Sequence, residues 1–79
     1  MERIIKRLKE ERKRIGELYL LAGKVYYYTS YARQTDLALE KEAKKAGLSL
    51  DDGIIEEFAR LGGQLMSIMT AIAIVEGKY

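Results

Sequence analysis

From Leu61 to Val75 the chain runs fifteen residues, LGGQLMSIMTAIAIV, without a charge. A helix with one apolar stripe can leave its other side in water, whereas one uncharged all round needs cover on every side. A chain of 79 residues has little to cover it with. Ile54, Phe58, Leu61, Leu65, Ile68, Ile72 and Val75 recur by alternating fours and threes and form one unbroken seam. Ile55, Met66, Met69 and Ala73 make a second apolar row, and Gly63, Ser67 and Ala71 place small residues four apart on a third line. Small residues at that spacing let another helix backbone approach closely. A bilayer crossing takes roughly 20 apolar residues. Fifteen with two glycines fall short, so no transmembrane span is expected.

Cys and His are both absent. Disulfides are excluded, a zinc or haem site would lack its usual ligands, and no metal or cofactor is expected. Below roughly 80 residues a lone core seldom suffices without a staple, which leaves association between copies. Proline is absent and Ala, Leu, Glu, Lys and Arg dominate, so the chain reads as a single all-α domain over residues 1–79. A third of the residues are charged and Asn, Cys and Trp are missing, a composition that fits a heat-adapted protein. Residues 1–14 hold seven basic and three acidic side chains, and residues 47–79 hold two basic and five acidic. Oppositely charged ends suit antiparallel or head-to-tail packing of copies. The basic end is mixed with acids and lacks a long apolar run behind it, unlike a signal peptide.

In the first half, Ile4, Leu8, Ile15, Leu18, Ala22, Val25, Ala32, Leu39, Ala43 and Ala46 keep one four-three phase, interrupted by Glu11, Thr29 and Asp36. That phase predicts one long helix over about 3–46, roughly 66 Å in length. The alternative is a break at Gly23, giving a three-helix bundle. Gly47 closes the first helix, in a turn over 47–49, and Ser49 with Asp52 predicts a capping box for a second helix over about 50–76. The result is a helical hairpin that oligomerises. A second helix of roughly 40 Å reaches back only to about Ala22, so residues 1–20 are expected to overhang as a basic arm. Tyr19, Tyr26, Tyr27, Tyr28 and Tyr31 spread around the helix waist, where their rings suit subunit interfaces, with base stacking on a single strand as the alternative.

No enzyme is expected. Without His or Cys neither a Ser-His-Asp nor a Cys-His arrangement can be built, Gly62-Gly63 lacks a phosphate-loop context, and the neighbouring carboxylates Asp51/Asp52 and Glu56/Glu57 read as a solvated acidic face. The run AKKAGLSLDDGIIEEF resembles the helix-turn-helix of DNA readers in its Ala43, Gly47 and Ser49, but Gly53 stands where a core residue is expected and the acids would repel phosphates. AGLSLDDGIIEEFARLGGQLMSI is also similar to the end of the small all-helical chorismate mutases, a resemblance that implies Arg14, Lys24 and Arg33 as anion clamps. That family's connecting segment, with its acid and Arg-Glu pair, is missing.

At the amino end Arg3, Arg7 and Arg14 share one flank, with Lys6, Lys9 and Lys13 around the outer face and Arg12 among them. Intrahelical pairing of Glu2 with Lys6 and Glu10 with Arg14 is the ordinary use of such charges, and a sequence-blind grip on phosphates is the other. In overall plan the chain resembles the small all-helical coat proteins of rod-shaped and filamentous viruses, including archaeal ones. The resemblance implies a self-assembling coat subunit of a helical, virion-located assembly. Its partners would be copies of itself and nucleic acid, the latter held by Arg3, Lys6, Arg7, Lys9, Arg12, Lys13 and Arg14. Lys41, Lys44 and Lys45 form a competing phosphate-facing set. Ile4, Leu8, Ile15, Tyr19, Tyr26, Tyr27, Phe58, Gly63, Leu65, Ser67, Ile68, Ala71 and Ile72 are the expected subunit-interface residues. The alternative function is a cytoplasmic, finite homo-oligomeric bundle acting as adaptor or DNA-binding regulator.

Overall fold

The chain is all-α. The computed structural model describes residues 2–32 and 36–78; the side chains of Tyr31 and Ala32 and the candidate clamp Arg33 lie outside the described set. Helix α1 runs Glu2–Tyr27 and passes into a π-helical turn, Tyr28–Ala32. Helix α2 covers Leu37–Lys45 and α3 covers Gly53–Val75.

Helix α1 passes through Gly16 and Gly23 without a break. At Gly23 the missing side chain makes room for Phe58, whose Cε1 lies 3.2 Å from where a Cβ would stand. The expected 66 Å helix is interrupted later. From Val25 to Ser30 every residue is β-branched, aromatic or serine, all weak helix formers, and the ladder loosens there into the wider π form. At Asp36 the backbone is extended, and its Oδ1 accepts a 2.9 Å bond from the Ala38 amide. One of the three residues that interrupt the sequence seam is thus the cap that starts a new helix. The seam keeps its phase across this interruption because α2 folds back beside the last turns of α1 and returns Leu39 and Ala43 to the same core.

Gly47 ends α2 as the pattern predicts. Its φ is +78°, and the paired bonds from the Gly47 amide to the Lys44 carbonyl and from the Leu48 amide to the Ala43 carbonyl form a Schellman motif. Gly77 repeats the motif at the end of α3. The predicted Ser49–Asp52 capping box does not form, and α3 begins at Gly53, not at residue 50. Asp51 caps instead, its Oδ1 accepting the Gly53 amide. Ser49 is engaged elsewhere: its amide and hydroxyl both donate to the Glu57 carboxylate, at 2.9 and 2.8 Å. Glu57, expected on a solvated face, is therefore a half-buried latch between turn and helix.

Helix α3 lies antiparallel along α1. Ile15, Ala22 and Val25 of α1, Ala43 of α2, and Ile54 and Leu61 of α3 form the buried core, with Ile72 buried further along α3. The Phe58 ring stacks with Tyr19 at 4.7 Å and with Tyr26 at 5.5 Å between centroids. At the far end Lys9 pairs with Glu76 at 3.2 Å. The expected twenty-residue overhang is thereby reduced to the turns before Lys9, because the break near Asp36 shortens α1 until α3 can match it. The Cα extents are 44 × 20 × 15 Å.

Candidate assembly face and basic groove

The three rows read on α3 have three different fates. The seam from Ile54 to Val75 faces α1 and supplies the core. The second row faces solvent: Ile55 is 46%, Met66 71% and Met69 51% exposed. On the same side of α1 stand Leu20 and Tyr27, 68% and 57% exposed. Tyr19 and Phe58, half-buried, join the two helices across this side, where they share a groove of about 390 Å³ with Leu20, Gly23 and Tyr27. Large apolar side chains left bare on one side are the mark of an interaction surface rather than of scattered surface residues. Helix α3 is also long and apolar enough, by length and composition, to cross a membrane, and only 11% of its most apolar window is buried inside the chain.

The third row lies on the opposite side. Gly63 and Ser67 do not meet another helix backbone; a Cβ at Gly63 would find nothing within 4 Å. They line a groove of about 620 Å³ between α1 and α3, together with Arg14 of α1 and Arg60 and Gln64 of α3. Arg14 is held by Glu11 at 2.8 Å. That hydrogen bond keeps the Glu11 carboxyl below its ordinary value and raises Arg14, with smaller contributions from the charges of Arg14 and Arg7 to Glu11. Arg60 makes no ion pair within 4 Å among the described residues, although Glu56 precedes it by one turn.

All seven cations at the amino end are exposed. The pairs Glu2–Lys6 and Glu10–Arg14 are not made; Glu11–Arg14 and Lys9–Glu76 are made instead. The Lys9 hydrogen bond holds the Glu76 carboxyl low, helped by the charges of Lys78, Lys9 and Arg12. Because α1 and α3 are antiparallel, charge separates along the molecule. The end built from residues 2–14 and 72–78 carries eight basic and four acidic side chains, net +4, and residues 36–60 carry four basic and seven acidic, net −3. Lys41, Lys44 and Lys45 lie in that second, acidic half.

Of the expected interface residues, Ile15 and Ile72 are buried within the chain, and Tyr19, Tyr26, Phe58, Leu65 and Ile68 pack against its core. Leu8 and Ala71 are half-buried, and Ile4, Tyr27, Gly63 and Ser67 are exposed. Arg60 and Leu20 were not singled out in the sequence: a lone arginine and a lone leucine carry no pattern until α1 and α3 are placed side by side. Of the mutase-like clamp, Arg14 and Lys24 stand ten residues, about 15 Å, apart along α1, and Arg33 lies outside the described residues. The connection between α2 and α3 spans residues 46–52, longer than the three to four residues of a DNA-reading helix-turn-helix. Among the described residues no group of His, Cys, Asp and Glu is placed to hold a metal ion. No protein-family model matches the chain, and no curated protein or solved structure matches it.

Proposed function

We propose that this chain is a self-assembling structural subunit that pairs with copies of itself through the apolar side of the α1–α3 layer and presents its arginine side to nucleic acid, as in the coat of a helical assembly. The observation that carries the reading is the exposure of Leu20, Tyr27, Ile55, Met66 and Met69 on one side. Exposed apolar side chains gathered on one side mark an interaction surface. A second copy is favoured as its cover by charge: an antiparallel pair sets the net +4 end of each copy beside the net −3 end of the other. Arg3, Arg7, Arg14 and Arg60 then remain on the outside, free to contact phosphates without regard to sequence.

A bilayer is the competing cover for α3. It is disfavoured because α3 is paired along its length with α1, whose Glu11, Arg12, Lys13, Arg14, Glu17 and Lys24 would have to enter hydrocarbon with it. The finite adaptor is the alternative, since one apolar side shared by two copies closes a dimer; exposed Ile4, Leu37 and Ile74 lie away from that side and are what a growing assembly would use.

The test is sedimentation and light scattering of the protein and of Met66→Glu, with electron microscopy of the same samples with and without double-stranded DNA. The expected result is a dimer or larger species that Met66→Glu dissociates, and rods or regular complexes on DNA. A monomer at every concentration up to about 1 mM, the weak limit of specific association, overturns the proposal. A sharp dimer indifferent to DNA leaves the adaptor.

A further inference from the structure

The groove opposite the apolar side has the composition of an anion site, and its residues are drawn from elements that the sequence does not connect. Two guanidiniums, Arg14 from α1 and Arg60 from α3, line it together. One carboxylate, Glu11, also lines it and is bound to Arg14 through a single nitrogen, Nη2. The local balance is therefore one positive charge in excess. Arginine carries five donors in a rigid fork, so Arg14 keeps most of its donors after binding Glu11, and Arg60 makes no ion pair of its own among the described residues. Gln64 and Ser67 add an amide and a hydroxyl on the same side of α3, and Gly63 leaves the floor open beneath them. Buried Ile15 and half-buried Ile68 back the groove with apolar surface, which strengthens charge-assisted hydrogen bonds made in front of it.

Like charges facing one groove repel unless an anion stands between them, and a phosphate has oxygens enough to accept from two guanidinium forks at once. We infer that the groove between α1 and α3 is a phosphate-binding site in which Arg14 and Arg60 grip the oxygens from opposite walls and Gln64 and Ser67 complete the donors. Within the function proposed above, this is where a backbone phosphate sits. The site belongs to one copy, however, and stands or falls without pairing. Free phosphate and the phosphodiester of nucleic acid share the required chemistry, and the two arms of the test separate them.

In the first arm, inorganic phosphate is titrated into the ¹⁵N-labelled protein, and the amides of Gly63, Gln64 and Ser67 and the Arg14 and Arg60 Nε–H signals are followed by NMR. Saturable shifts confined to these groups are expected. Arg60→Gln should weaken binding by about tenfold or more, the scale of a lost hydrogen bond to a charged group, and Gly63→Asp, which adds a carboxylate to the floor, should abolish it. Lys24→Gln, in a different groove, should leave it unchanged, and helical circular dichroism checks that each variant is folded. In the second arm a short DNA duplex replaces phosphate. Equal loss of DNA affinity in Arg60→Gln and Gly63→Asp assigns the site to phosphodiesters, whereas DNA binding untouched by either variant, with phosphate binding lost in both, assigns it to free phosphate or a small phosphorylated molecule. Absence of saturable shifts with both probes, or shifts that survive Arg60→Gln, overturns the site. Retained DNA binding in that case leaves the nucleic-acid reading intact without it.

Discussion

Replacing Gly62 and Gly63 one at a time by alanine makes the same chemical change at adjacent positions of α3, and the structure gives the two changes different outcomes. Alanine is about 1 kcal/mol better than glycine in a helix interior. At Gly63 the new methyl meets nothing within 4 Å, so that gain stands whole. At Gly62 the Cβ would lie 3.0 Å from Tyr19 Cε1 and 3.7 Å from two further ring atoms. The ring cannot simply swing away, because it is stacked on Phe58 at 4.7 Å, and Phe58 itself sits 3.2 Å above the Cβ position of Gly23. Overpacking of this kind costs about 1–3 kcal/mol. Gly63→Ala should therefore stabilise by about 1 kcal/mol, and Gly62→Ala should be neutral or destabilising by up to about 2 kcal/mol. In a domain of this size 1 kcal/mol moves Tm by about 4–8 °C. Thermal and urea unfolding followed by circular dichroism, at one protein concentration, reads the difference directly. A Gly62→Ala protein stabilised as much as Gly63→Ala would refute the seat of Tyr19 against α3.

Glu57→Gln should destabilise by about 1–3 kcal/mol, because the Ser49 amide and hydroxyl lose a charged acceptor; Glu56→Gln one position earlier should stay within about 0.5 kcal/mol, and urea unfolding of the pair measures the contrast. Gly47→Ala should cost about 1–2 kcal/mol, since its φ of +78° is a left-handed backbone that a Cβ disfavours; the midpoint of thermal unfolding reports it. The carboxyls of Glu11 and Glu76 are both held below the ordinary glutamate value, by Arg14 and Lys9 respectively. Their pairing therefore contributes above the unfolded value of about 4.3 and is lost as pH falls through the lowered folded values. Tm measured from pH 7 downward should fall in that window, and Glu76→Gln should flatten part of the fall; an unchanged profile would discard the Lys9–Glu76 tie.

Much of this architecture is legible in the residues. The absence of proline, the four-three seams, Gly47 and the lysines before it yield an all-α chain with a firm turn after α2, because each is a local property of backbone or periodicity. The three rows on α3 are equally local, since a helix distributes its side chains by spacing alone. Their uses are not. One break near Asp36 shortens α1 and folds α2 back on it. That lets α3 run to Lys9, and it shortens to the turns before Lys9 the overhang that periodicity alone predicts. Asp36 reads as a flaw in a seam until its carboxylate is seen capping α2, and Ser49 reads as a cap until its partner proves to be Glu57, eight residues away.

For the candidate sites, spacing and composition already require that α3 carry more apolar surface than its own chain can cover and that positive charge gather at the amino end. Which α3 row meets α1, which stays bare beside Leu20 and Tyr27, and which opens beside Arg14 emerges from packing. Helical spacing fixes the angles between rows, whereas the direction in which the second helix lies depends on the sum of packing against α1 and α2. Arg14 and Arg60 are separated by two turns and a whole helix in sequence, and they come together only after that sum is settled.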